Sequence, residues 1–228
     1  MWTFSGYEKV AESAAKWGLD VAGTRALRRV RWAVTEKIHG ANFCFVMENG
    51  RVHGQPPSMQ ALRGANRRRL LDENEPFFGW QAVREALAEN LQSAAARLPD
   101  AETVCVYGEL FGGGYPHEGV ASAPDVQPVQ TGVWYAPDIR FAAFDVGVTT
   151  GRERRYLDFE RAQTVLRAAG VPCVASLFIG TFERATDFSP RFDSTIPATL
   201  GLPPLPKGTN LAEGIVVRPV REIAGLPV

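Results

Sequence analysis

At 228 residues the chain fits one large domain or two small ones, and it is long enough to bury a substantial core. Lysine plus arginine balance aspartate plus glutamate at 25 each, which excludes a globally basic nucleic-acid binder but not a local basic groove. Cys44, Cys105 and Cys173 lack metal-ligand spacing and read as buried free thiols of a reducing compartment; with no signal peptide and no membrane-length apolar run, a cytoplasmic protein is expected.

Residues 7–17 have helical character, with Val10, Ala14 and Trp17 near one face and Gly18 as the stop. Arg25, Arg28, Arg29 and Arg31 form a basic cluster, read as a solvated loop and strand face in preference to the alternative of phosphate binding. Residues 30–35 and 42–47 read as strands rich in apolar and aromatic residues. Lys37 and Gly40 lie between them. Glycine lets the main chain approach a ligand closely, so a lysine in such a turn can be held against one. A lysine that loses hydration or gains cationic neighbours becomes a usable nucleophile. The plain alternative is a surface lysine in a loop.

Asn49-Gly50 between apolar runs predicts a hairpin, since both residues tolerate positive φ. Residues 53–64 look like an irregular insertion. Arg67, Arg68 and Arg69 follow, either as a solvated charge run or as phosphate-binding guanidinium forks. Residues 77–98 predict an amphipathic scaffold helix, with Trp80, Val83, Leu87 and Leu91 at helical spacing. Residues 103–111 form an apolar strand that delivers Glu109 into a glycine-rich turn. Residues 112–136 read as a long loop and 140–148 as a strand carrying Phe144 and Asp145. An unpaired carboxylate inside such a strand is costly, so Asp145 needs a partner. Residues 158–169 predict a helix stopped at Gly170, 171–179 a strand, and 183–206 a proline-containing loop. Residues 212–219 carry Glu213, an apolar run and Arg218.

Lys37-Ile38-His39-Gly40-Ala41-Asn42 resembles the first motif of the covalent nucleotidyltransferases, in the form found in RNA-ligase-2-type and RNA-editing ligases. Three further motifs resemble that family in its order. They are Gly108-Glu109-Leu110, Phe144-Asp145, and Glu213-Gly214 followed by three apolar residues and Arg218. The segment from Pro128 to Asp138 resembles one that editing-type ligases carry before their next strand.

The resemblance implies an α+β fold with antiparallel sheets flanked by helices, the nucleotide lying between them, as one adenylyltransferase domain over residues 1–228. It implies an ATP-dependent RNA ligase of RNA-repair or RNA-editing type that joins 3′-hydroxyl and 5′-phosphate RNA ends. Lys37 would be the nucleophile, forming lysyl-AMP. Glu36, Ile38, Asn42, Arg67, Glu109, Phe144 and Arg218 would bind nucleotide, with Arg68 as the fallback for Arg67. Glu109 would accept from the ribose hydroxyls, which a carboxylate suits because it only accepts. Phe144 would stack on the purine. Glu213 would place a magnesium or manganese ion, with Asp145 the weaker candidate, and His39 and Gly40 would shape the site.

A family lysine-x-lysine motif after the fourth has no counterpart up to Val228. Lys207 is the only lysine after Lys37. Grip on RNA is therefore expected from a continuation of the chain or from a protein partner. The rival readings are a DNA ligase or capping-type enzyme, and a non-catalytic nucleotide- or RNA-end-binding module. A phosphate-loop enzyme is disfavoured, because no Gly-x-x-x-x-Gly-Lys-Ser/Thr occurs.

Overall fold

The computed structural model describes residues 4–48 and 62–223. Among the described residues, eight strands form two antiparallel sheets. β1 (Trp32–Glu36) is the centre of a three-stranded sheet, between β7 (Ser176–Gly180) and β8 (Ile215–Pro219). The second sheet runs in the order β3 (Leu62–Asn66), β2 (Ala41–Glu48), β4 (Thr103–Gly114), β5 (Ala136–Thr150), β6 (Glu153–Tyr156). The α+β expectation is met.

Alternation along β2 divides the larger sheet. Phe43, Phe45 and Met47 join the main core, against α2 (Trp80–Ala96) and α3 (Phe159–Ala168). Cys44 and Val46 face the other way and pack with Tyr107, Tyr7 and Phe144. Cys44 and Cys105 are buried free thiols, and Cys173 is partly exposed. The outer face of the smaller sheet, with Trp32, Val34, Phe178, Ile215 and Val217, is covered by α1 (Val21–Leu27) and α4 (Phe182–Thr186). Its other face turns Ala33 and Arg218, direct ladder partners, toward the larger sheet.

Several expectations need correction. Only Ala14–Trp17 of the expected first helix is helical, as a single 3-10 turn ended by Gly18. Before it the chain lies over the larger sheet, where Tyr7 and Ser5 find partners, while Val10 is exposed. The basic cluster overlaps α1, which Asp20 caps by accepting from Gly23 N–H at 2.7 Å. The expected helix over 77–98 starts only at Trp80, because Phe78 and Gly79 are left-handed at φ 53° and 68°. Leu62 to Gly64 belong to β3 rather than to an insertion. The expected Asn49-Gly50 turn lies outside the described residues.

β4 continues through Gly112 and Gly113, where φ is 98° and 90° and an added Cβ would strike backbone at 2.1 and 2.4 Å. The strand expected over 171–179 is confined to β7. Residues 172–174 instead bond to Ala143 of β5. The expected loop over 183–206 contains α4 and the short α5 (Ile196–Thr199). Among the described residues, no helix is long and apolar enough to cross a membrane.

Candidate nucleotidyl-transfer site

β1 leaves the smaller sheet at Glu36 and β2 enters the larger one at Ala41, so residues 37–40 join the two sheets. Lys37 N–H donates to the Gly214 carbonyl at 3.0 Å, which keeps the connector beside the start of β8. The Lys37 ammonium pairs with the Glu213 carboxylate, whose other oxygen lies 3.6 Å from His39 Nδ1. The Lys37 side chain remains half exposed, so an incoming group can reach its amine. On Gly40 an added Cβ would meet the Leu110 carbonyl at 2.1 Å and Glu109 Cγ at 2.8 Å. Glycine is what lets the connector lie against β4.

Asn42 and Glu109 are direct partners across the β2–β4 ladder. Burial pushes the Glu109 carboxyl up to about 8, and the nearby Glu213 carboxylate adds to the shift. Lys37 and Arg67 oppose it. Glu109, Glu213, Lys37 and Arg67 thus share one electrostatic neighbourhood. Arg67 is reached through a tight turn after β3, where the Asn66 side chain accepts from Arg68 and Arg69 N–H. Arg69 is spent on Glu75, while Arg67 and Arg68 are exposed at the turn.

Phe144 sits at a bulge. Tyr107 and Gly108 are consecutive in β4, yet they face Asp145 and Ala143, so Phe144 is the extra residue. A bulge re-aims a side chain out of strict alternation. Phe144 is partly exposed and takes the Tyr7 ring edge-on at a centroid distance of 4.8 Å.

The remaining candidates are committed elsewhere. Asp145 is buried and accepts from Arg218 at 2.8 Å, Tyr7 OH at 3.0 Å and Val146 N–H at 3.0 Å. Burial pushes its carboxyl up against the pull of these donors. Both of its oxygens already accept from protein donors, so Asp145 is the less available of the two metal candidates. Arg218 also donates to the Phe144 carbonyl at 3.2 Å and lies over the Phe159 ring. Its guanidinium is tied beneath Phe144 rather than free to meet phosphate. Glu36 is buried, and its carboxylate accepts from Ser194 Oγ at 2.6 Å and from Thr195 N–H and Oγ1 at 2.8 Å each. Ile38 is core, packed with Phe111, Val133 and Tyr135. Neither Glu36 nor Ile38 presents a free side chain to a nucleotide, which leaves their main chain for that role.

Tyr7, Tyr135, Ser194, Thr195 and Asn210 support the site and were missed in the sequence. Tyr7 falls inside the expected helix, and the others lie in stretches read as loop or as the lead-in to Glu213. Among the described residues, no three His, Cys, Asp or Glu side chains form a metal cage. Magnesium usually takes only one or two carboxylates, completing its shell with phosphate oxygens and water. Glu213, with a partly exposed carboxylate beside Lys37, fits that mode. A cavity of about 400 Å³ lined by Arg31, Asp158, Glu160, Arg161, Val220 and Arg221 lies beyond the opposite end of β1 and contains none of these groups.

A family profile described as RNA ligase matches residues 30–227. Mitochondrial RNA-editing ligase 2 of Trypanosoma brucei brucei is 30% identical over 208 residues, which cover 82% of this chain and 48% of the relative. Mitochondrial RNA-editing ligase 1 of the same organism is 28% identical over 216 residues, covering 83% and 45%. The chain therefore spans about half the length of the curated relatives it matches. A Naegleria gruberi RNA ligase variant solved with ATP and Mn superposes with a TM-score of 0.58 at 14% identity, over 96% of this chain and 53% of that one. Another variant, with AMP and Mn, gives 0.54 at 15% identity, over 88% and 50%. At such identities the likeness shows a shared fold.

Proposed function

This chain belongs to the RNA ligase family, and from that premise we propose that residues 1–228 act as an ATP-dependent adenylyltransferase unit that joins RNA ends. One observation carries the reading. A half-exposed lysine is held by Glu213 in the connector between two sheets, within electrostatic reach of Glu109. The Lys37 amine attacks the α-phosphorus of ATP. An N–P bond forms, the bond to the β-phosphate oxygen breaks, and pyrophosphate leaves. A 5′-phosphate oxygen of RNA then takes the AMP and frees the lysine. A 3′-hydroxyl of RNA attacks the activated phosphate, sealing the strand and releasing AMP.

Such transfers depend mainly on positioning and on neutralising charge. Glu109 accepts from the ribose hydroxyls, Phe144 stacks on the base, and Arg67 faces the phosphates. Asn42, beside Glu109, offers an amide to the nucleotide. His39 shares Glu213 with Lys37 and so shapes the site. Arg218 acts from below, by fixing the Phe144 main chain. A magnesium or manganese ion held by Glu213 and phosphate would neutralise the triphosphate. RNA with 3′-hydroxyl and 5′-phosphate ends is the proposed partner.

The test is intact mass before and after ATP with magnesium. The wild-type chain gains one AMP and Lys37→Ala gains none. Equal labelling of both would move the nucleophile elsewhere, and ATP binding without an adduct would favour a binding module.

A further inference from the structure

We infer that Asn210 is a positioning residue for the covalent step, latching both flanks of Lys37 through its side-chain amide and its main chain. The inference rests on the proposed role of Lys37 as nucleophile. Asn210 is buried, and both ends of its amide are used. Oδ1 accepts from Trp134 N–H and Nδ2 donates to the Trp134 carbonyl, each at 2.8 Å. A side chain thus closes a two-bond ring on a loop residue, as a strand partner would. The next residue, Tyr135, is buried against Phe111, and its hydroxyl accepts from His39 N–H at 2.8 Å. This fixes the connector two residues after the nucleophile.

The other flank is reached through the main chain. The Asn210 carbonyl accepts from Ser194 N–H at 2.8 Å, and Ser194 Oγ donates to Glu36, the residue before the nucleophile. Three residues beyond Asn210, Glu213 holds the Lys37 ammonium. One residue therefore stands at the junction of three lines that converge on the lysine. A buried amide is costly unless both its ends are bonded, and here both bonds go to a loop with no ladder of its own. Without the latch, Trp134 and Tyr135 lose their anchor, and His39 N–H loses a fixed acceptor. An ångström-scale misplacement of a reacting group can slow a reaction about a hundredfold.

The test uses the whole chain and three variants: Asn210→Ala, the milder Tyr135→Phe, which removes one oxygen, and Lys37→Ala as the blank. Hydrogen exchange is read by mass on the peptide carrying His39, beside peptides of β2 and β4 as internal controls. Single-turnover AMP transfer is followed against ATP concentration. The expected result for both latch variants is at least about tenfold faster exchange in the His39 peptide, with the controls unchanged. The transfer rate should fall about a hundredfold at saturating ATP, with half-saturation within about threefold of wild type. Unchanged exchange at His39 would overturn the latch, as would a slower rate matched by equal loss of protection in β2 and β4. A wild-type chain that forms no AMP adduct would refute the ligase reading, while the exchange data would still decide whether Asn210 holds the connector.

Discussion

Replacing Glu109 by glutamine should stabilise the protein, and by an amount that grows with pH. The carboxyl is pushed from the ordinary 4.5 up to about 8 by burial and by Glu213. Between those values the folded chain keeps the proton and the unfolded chain does not, so stability falls as pH rises through that window. Above it the carboxylate is ionised in both states and the whole penalty is present. Below it both are neutral and the penalty vanishes. The span corresponds to a ceiling of ~5 kcal/mol. Water and the Lys37 and Arg67 side chains rearrange around the ionised group, which reduces the expected cost to about 2–3 kcal/mol. Glutamine has the same shape and no charge. For a chain of this length, Glu109→Gln should raise Tm by about 5–10 °C at pH 9 and by no more than about 1 °C at pH 4.5. Thermal melts of both proteins across that range check it, because groups common to the two cancel in the difference. A pH-independent difference, or one that shrinks as pH rises, would refute the burial argument.

Asp145→Asn leaves the partly buried Arg218 beside a neutral amide and should cost about 3 kcal/mol in urea unfolding. Phe144→Ala should raise the ATP concentration needed for adduct formation by about 10- to 100-fold, as loss of a stacking platform does, with a smaller effect on the saturated rate. Gly40→Ala forces a Cβ against the Leu110 carbonyl, where 2.1 Å separates them; the connector must move, and AMP transfer should fall while Lys37 is still present, as intact mass would show. Glu213→Gln should leave ATP binding measurable by calorimetry but remove most magnesium-dependent stimulation of adduct formation.

How far the site was legible follows from where its information lies. Lys37 and Glu213 sit beside strands and Glu109 and Phe144 within them; the apolar pattern of those strands is local, so the strands and these side chains could be read together. The core helices α2 and α3 were legible for the same reason. Pairings between distant residues were not. Nothing in the run around Asp145 announces Arg218 and Tyr7 as its partners, 73 and 138 positions away. Glu36 looks like part of the nucleophile motif, yet its carboxylate is spent on Ser194 and Thr195, and only the fold brings those residues to it. Asp20 three residues before Gly23 is an ordinary helix start, but the four arginines that follow give the same stretch the charge of a solvated loop. The bulge at Phe144 has no sequence signature at all, because an extra residue in one strand is defined only against its partner.

The charge arrangement follows from the same two-sheet geometry. Lys37 directly follows β1 and Glu213 lies just before β8, adjacent strands of the smaller sheet, and the Lys37 N–H bond to Gly214 links the two. Glu109 lies within the larger sheet and Arg67 in the turn just after its strand β3, and both share the electrostatic neighbourhood of that pair. Bringing Glu109 toward Glu213 places two carboxyls around one ammonium, and burial settles the conflict by favouring a proton on Glu109. A triphosphate with its metal would enter the same space as anion and cation together. On the proposed reading it would offer Arg67 and Lys37 a counter-charge, give Glu213 a cation to hold in place of the lysine, and present ribose hydroxyls to Glu109. Each group that is poorly matched in the free chain gains a partner of the right sign. This predicts that ATP with magnesium stabilises the chain most where Glu109 is ionised, so the rise in Tm on adding both to the Lys37→Ala chain should be larger at pH 9 than at pH 6. An equal rise at the two values would mean that the nucleotide does not meet Glu109.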